Sequence, residues 1–137
     1  MSQTLLLTFY GQVKAKKNSK QIAINPRTGK TFVRQNDATK AQEMLMVAAF
    51  RSDYSQAQIQ RKYFENAPAY KVAVEIWNED KRKHDLDNQL ATIMDALVKA
   101  GILRGDDQQV VPEEIVRYKG VDRLDPRAEI TITTIRS

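Results

Sequence analysis

Between Tyr70 and Gly101 the apolar period of the chain changes from two residues to that of a helix, and this switch constrains the fold more than any other feature. Over residues 70–77, Val72, Val74 and Ile76 alternate with Lys71, Ala73 and Glu75, the pattern of a strand with one buried face. Asp87 or Asn88 can then cap a helix in which Leu90, Ile93, Met94, Leu97 and Val98 form one apolar stripe. Gly101 is placed to end that helix, and the stripe is the face that docks on a sheet. Residues 109–118 and 128–134 read as two further strands, separated by the polar stretch 119–126.

Upstream, residues 4–10 form a strand rich in Leu and aromatics that stops at Gly11. A Lys-crowded loop follows over 12–20. Residues 21–25 and 30–34 then flank the turn Pro26-Arg27-Thr28-Gly29, which predicts a basic hairpin. Asn36 or Asp37 caps a helix running to about Phe50, with Ala38, Ala41, Met44, Leu45, Ala48 and Ala49 as its apolar surface, and helical tendency resumes over 55–63 before Pro68. The order β, β-hairpin, α, β, α, β, β, without a linker or internal repeat, predicts a single α+β domain over residues 1–137 with a basic hairpin region at about 12–34. That length buries roughly two thirds of the unfolded surface without disulfides.

The chain has no Cys and one His, His84, so a disulfide framework and a Cys-containing zinc site are excluded, and any metal is held by oxygen. There is no apolar run long enough to span a bilayer, and residues 5–10 are too short for a signal-peptide core, so a cytoplasmic protein is expected. The net charge of +5 is concentrated at one end. Lys14, Lys16, Lys17, Lys20, Arg27, Lys30 and Arg34 face no acid before residue 37. Clustered Lys and Arg suit a polyanion backbone, but a solvated hairpin explains the charge almost as well. An anionic membrane is a weaker fit, because no long amphipathic helix accompanies the charge.

Inside this basic chain stand Asp85 and Asp87, just after one strand and before a helix, and Asp106 and Asp107, beyond that helix and before the next strand. A strand-helix-strand unit brings the two groups together if its strands are close. Three carboxylates at one point repel unless protonated or bound to metal, and Mg²⁺ resolves the repulsion while leaving positions for water and phosphate. Such an ion activates water and stabilises charge on a phosphodiester. Taken singly, Asp87 is more often a cap and Asp106-Asp107 more often a loop surface. Asp95 either orients the site or pairs with Lys99 at i+4. Lys81, Arg82 and Lys83 can hold phosphates in register, or form an ordinary exposed strand end; His84 as a general base is unneeded beside metal-bound water.

Together, Lys81-Arg82-Lys83-His84-Asp85-Leu86-Asp87-Asn88, Asp95-Ala96-Leu97, Lys99-Ala100-Gly101 and Asp106-Asp107-Gln108-Gln109-Val110-Val111 resemble the RusA-like Holliday-junction resolvases of bacteria and their prophages. The matching segments all fall between residues 81 and 111. The resemblance implies a mixed β-sheet packed with two main helices. It also implies a homodimeric, Mg²⁺-dependent endodeoxyribonuclease of DNA recombination and repair, with Mn²⁺ a plausible substitute, that makes paired symmetrical nicks across a four-way junction. The family's catalytic, metal-holding acids fall on Asp85, Asp87 and Asp107, with Asp106 in the neighbouring acidic place and Asn88 and Asp95 as auxiliary positions. Relatives often carry a functional Lys in the first turn of the helix after Asp-Asn; here that position is Ala91.

The leading expectation is therefore hydrolysis of branched DNA by metal-activated water, leaving a 5′-phosphate and a 3′-hydroxyl. Lys14, Lys16, Lys17, Lys20, Arg27, Lys30, Arg34 and Lys81 to Lys83 are the expected DNA contacts. Ala91 favours a second reading, a structure-selective DNA-binding module with weak or no cleavage. An acid-lined protein-interaction domain explains the segregated charge less economically.

Overall fold

The alternating segment and the striped segment become the central strand of a sheet and the helix that crosses it. The structure is a computed structural model that describes residues 2–15, 20–35 and 37–136. Its elements are β1 (Thr4–Tyr10), β2 (Lys20–Ile24), β3 (Thr31–Gln35), α1 (Asp37–Gln56), α2 (Arg61–Glu65), β4 (Ala69–Asn78), α3 (Leu86–Lys99), β5 (Glu113–Val121) and β6 (Arg127–Ile135). Four strands form a mixed sheet in the order β1-β6-β4-β5, in which β4 runs parallel to β5 and antiparallel to β6, and β1 is antiparallel to β6. The hairpin β2-β3 is a separate two-stranded sheet. This is the α+β architecture expected, with one more short helix.

Period-two burial runs through β1, β4 and β6, and it turns Leu5, Leu7, Phe9, Val72, Val74, Ile76, Ala128, Ile130 and Ile132 into the core. Met46 and Phe50 of α1 and Ile93 and Leu97 of α3 are buried with them. Each such aliphatic side chain contributes about 2 kcal/mol on leaving water. Leu103 lies in the same core.

Several boundaries differ from the sequence expectation for identifiable reasons. α1 continues past Phe50 to Gln56, because its added turns pack Tyr54 against Phe64 at 5.8 Å and aim Asp53 at β1. Asp53 Oδ2 accepts the outward N–H of Thr8 at 2.9 Å, closing that point of the sheet's β1 edge. The helical tendency over 55–63 becomes the five-residue α2. β5 starts at Glu113, not at 109, since the Asp107 carboxylate takes the N–H groups of Gln109 and Val110 and winds this stretch into a turn. The helix α3 starts two residues early, capped by Asp85, whose side chain accepts from the Asn88 N–H.

The far end of α3 follows the expected pattern. Gly101 has φ 78°, its N–H reaches Val98 O at 3.0 Å, and the Ile102 N–H reaches Leu97 O at 3.1 Å, a Schellman stop that strongly favours glycine. A register irregularity lies between Ile76 and Trp77 of β4, where β5 supplies Gly120 at φ 119°. Among the described residues no helix is long and apolar enough to cross a membrane.

Candidate functional site

At the C-terminal end of β4, three buried side-chain amides tie the basic N-terminal segment to the helix that carries the first acids. Asn78 Oδ1 accepts from Gln12 Nε2 at 2.8 Å and from Gln89 Nε2 at 3.0 Å, and the same two amides donate to Val13 O, each at 3.0 Å. Gln12 Oε1 accepts the Glu79 N–H at 2.6 Å. One step further along, Gln42 of α1 brackets Lys14, accepting its N–H at 2.8 Å and donating to its carbonyl at 3.0 Å. The root of the basic arm is thereby fixed against β4, α1 and the first turns of α3. Gln89 is 1 % exposed, so loss of its partners leaves polar groups stranded in the core.

The loop from Glu79 to His84 links β4 to α3 and carries Lys81, Arg82 and Lys83, all exposed. Asp80 holds Arg82 twice, accepting its backbone N–H at 3.0 Å and its Nε at 2.9 Å. These contacts, the backbone bond first, lower the Asp80 carboxyl below its ordinary range. Asp85 follows as the N-cap, with Oδ1 3.1 Å from the Asn88 nitrogen. Asp87 is exposed in the first turn, and Ala91 is exposed four residues later, at the spacing of side-chain neighbours on a helix. A cleft of about 450 Å³ opens beside this segment, lined by the loop residues 81–84, Leu86 and Tyr118 above the amides of Asn78 and Gln89.

The second pair of acids sits at the opposite end of β4. Beyond the α3 stop, Arg104 donates to Ala67 O at 3.0 Å and to Pro68 O at 2.7 Å, pinning the chain to the residues that lead into β4. The Tyr70 N–H reaches Val110 O at 2.8 Å, so the turn holding Asp106 and Asp107 lies beside the first residues of that strand. Asp107 Oδ1 accepts from the N–H of Gln109 at 2.9 Å and of Val110 at 3.2 Å. A side chain at Gly105 would place its Cβ 3.3 Å from Asp107 Oδ2, so glycine leaves room around that oxygen. Glu114 joins this end: desolvation of its carboxyl, followed by the negative Asp106 nearby, pushes its pKa up.

The strand-helix-strand unit therefore brings Asp85 close to Asp87 in sequence and space, and Asp106 close to Asp107, but it holds the two pairs apart. α3 has 14 residues, and at 1.5 Å per residue it separates its ends by roughly 21 Å. Among the described residues, no three His, Cys, Asp or Glu side chains form a group able to hold a metal ion. Asp85, Asp87 and Asp107 of one chain do not fit around a single cation. Asp95 is half-buried in the second half of α3, and Lys99 reaches across to Glu43 of α1 at 2.5 Å. Asn88 is half-buried, with its carbonyl accepting from Thr92 Oγ1 at 3.0 Å.

The basic residues divide in the same way. Lys14, Arg27 and Lys30 are exposed, the last two on the hairpin turn, where Asn25 Oδ1 accepts from the Arg27 N–H at 2.9 Å. Lys20 and Arg34 are placed by the backbone in β2 and β3. Lys16 and Lys17 lie outside the described residues. Sequence reasoning missed Asp80, Glu114, the Gln12-Asn78-Gln89 cluster and Tyr118. The usable signal was Gln89 and Thr92: polar residues next to Ile93 on a helix face otherwise committed to core.

In comparison with known proteins, a family model described as Endodeoxyribonuclease RusA matches residues 8–133, a span that includes the hairpin and both acidic ends. No curated protein matches the chain.

Proposed function

The chain belongs to the RusA endodeoxyribonuclease family, and from that premise we propose that it is a Mg²⁺-dependent nuclease of branched DNA whose cleavage centre forms only between two copies. The observation that carries the second half is the placement of the acids at opposite ends of α3. In a two-fold dimer, the end of one protomer that carries Asp85 and Asp87 can meet the partner's Asp106-Asp107 end, and symmetry then makes two identical centres. Two centres match two nicks in a two-fold junction.

Each acid has a second use that bears on this arrangement. Asp85 and Asp107 each commit Oδ1 to backbone N–H groups, which fixes the carboxylate plane and leaves Oδ2 directed elsewhere. A divalent ion held by such oxygens would supply activated water and charge stabilisation at the phosphorus. Lys81 and Lys83 neutralise phosphates beside Asp85, and Arg82, already oriented through Nε by Asp80, presents its terminal nitrogens to a phosphate. Arg27 and Lys30, exposed on the hairpin turn, would add further phosphate contacts.

The test is complementation. On a mobile four-way junction with Mg²⁺, Asp87→Asn and Asp107→Asn each lose nicking on the order of 10³-fold. Mixed dimers contain one centre with both changes and one with neither, so mixing the two proteins restores nicking. Mixed dimers that form and stay inactive overturn the shared centre, and cleavage by Asp87→Asn at the wild-type rate overturns the site itself. Ala91, exposed where relatives often have a lysine, supports one rival: a DNA-binding module without cleavage. Junction binding by the wild type with no metal-dependent nicking selects that rival.

A further inference from the structure

We propose that Tyr118 and the cleft beside it receive an unstacked nucleobase from the branch point of DNA, which makes this ring a determinant of branch selectivity; the inference rests on the DNA-cleaving reading above. Tyr118 stands opposite Ile76 in the β4-β5 register. Ile76 is fully buried, whereas Tyr118 is 52 % exposed on a face where its neighbours are core. The helix that covers this face begins with Leu86 and Gln89 at the far wall of the cleft, so one side of the ring looks into open space.

The ring's surroundings suit a heteroaromatic guest. Tyr54, Tyr63, Tyr70 and Trp77 each carry an arginine 4.0–5.8 Å from the ring centroid, and among the described residues Tyr118 has no such cation on its face. Yet Lys81, Arg82 and Lys83 line the same cleft. Cations at the rim and a bare aromatic wall are the pairing that binds single-stranded nucleic acid: the charges take the phosphates and the ring stacks on a base. The volume of about 450 Å³ lies in the range of small-molecule sites. The cleft also includes the residues leading directly to Asp85, so the base it receives belongs to a nucleotide next to the phosphate presented to the acids.

Stacking supplies what the charges lack. Phosphate contacts hold linear and branched DNA alike. A base in a continuous duplex must break its pair and stack to enter the cleft, while a base at a branch point is already partly released. The ring therefore discriminates by the cost of extracting a base.

The experiment measures affinity of the intact protein for a four-way junction and for a linear duplex of the same sequence, without divalent metal, for the wild type, Tyr118→Ala and Tyr118→Phe. Tyr118→Ala is expected to lose about ten-fold in junction affinity with duplex affinity unchanged, and Tyr118→Phe to keep wild-type selectivity. A 2-aminopurine at the branch point changes its emission with the wild type and Tyr118→Phe but not with Tyr118→Ala. An unchanged junction-to-duplex ratio in Tyr118→Ala overturns the proposal, as does equal weakening on both DNAs, or dissociation of a wild-type dimer by this substitution. Metal-dependent nicking of the junction by the wild type is scored in parallel. If it persists while the ratio is unchanged, only the base receptacle fails; if the wild type neither binds nor nicks DNA, both readings fail.

Discussion

The two ends of α3 carry similar acids in opposite settings. At the first end, Asp85 and Asp87 stand among Lys81, Arg82 and Lys83, over a floor of buried amides that reaches into the basic arm. At the second, Asp106 and Asp107 meet Glu114, and the anchoring comes from Arg104 bonds to backbone carbonyls near the surface. The first end sets its acids among basic side chains, and the second gathers three carboxylates that, among the described residues, form no ion pair. Under the proposed shared centre, complementary charge of this kind would guide two copies into register. Among the described residues neither end alone forms a group of three side chains able to hold a metal ion.

The sharpest way to break the contrast is to remove the amide floor. Gln89→Leu removes one of the two amide donors to Val13 O and one of the two to Asn78 Oδ1 in the core, and it is expected to cost about 2 kcal/mol in chemical denaturation. Amide NMR shifts should move through residues 12–14 and not near Asp107; equal shifts at both ends would show that the ends are not independently held. Ala91→Lys comes next in size. It places a cation one turn from Asp87, and it should raise nicking about ten-fold, or about 1.4 kcal/mol of barrier, if the first end is where the leaving oxygen lies. No gain would shift that role to Lys83 or the arm.

Comparing Asp85→Ala with Asp87→Ala separates capping from chemistry. Both should abolish nicking, but only Asp85→Ala removes a helix cap, with an expected loss of about 1 kcal/mol in stability. Equal stability of the two variants would sink the capping role. The smallest effect is at the second end. Because the folded chain holds the Glu114 proton more tightly than the unfolded chain does, Glu114's contribution to stability is present below the ordinary glutamate range and falls as pH rises through the raised value. Asp106→Asn should move the Glu114 carboxyl titration, followed by NMR, downward only in part, because desolvation is the larger cause. A complete return to the ordinary value would make Asp106 the dominant cause instead.

Much of this fold was legible because β4 and α3 announce themselves by period: alternation over ten residues and a stripe over fourteen leave little choice of element. The helix start was less legible, since Asp85, Asp87 and Asn88 are all good caps and the choice depends on Leu86 packing against the core. The acids were legible as residue types, and their separation was not. It follows from strand direction: a helix joining parallel neighbours must carry the chain from the end of β4 back to the level of its start, so acids before and after the helix cannot meet. Pairing direction is a property of the whole sheet and leaves no mark in the local spacing. The cleft was hidden for a similar reason, because Tyr118 joins Lys81 to Lys83 only through the β4-β5 register.

The bond from Asp53 to the Thr8 N–H has a consequence for how sheets of neighbouring molecules can combine. The outer strands of the sheet are β1 and β5, and α1 stoppers the first. An object that can be extended on one side only forms a pair and then has no growing end, whereas a filament needs two. With β5 as the other outer strand, this one carboxylate biases accidental strand pairing toward a finite product.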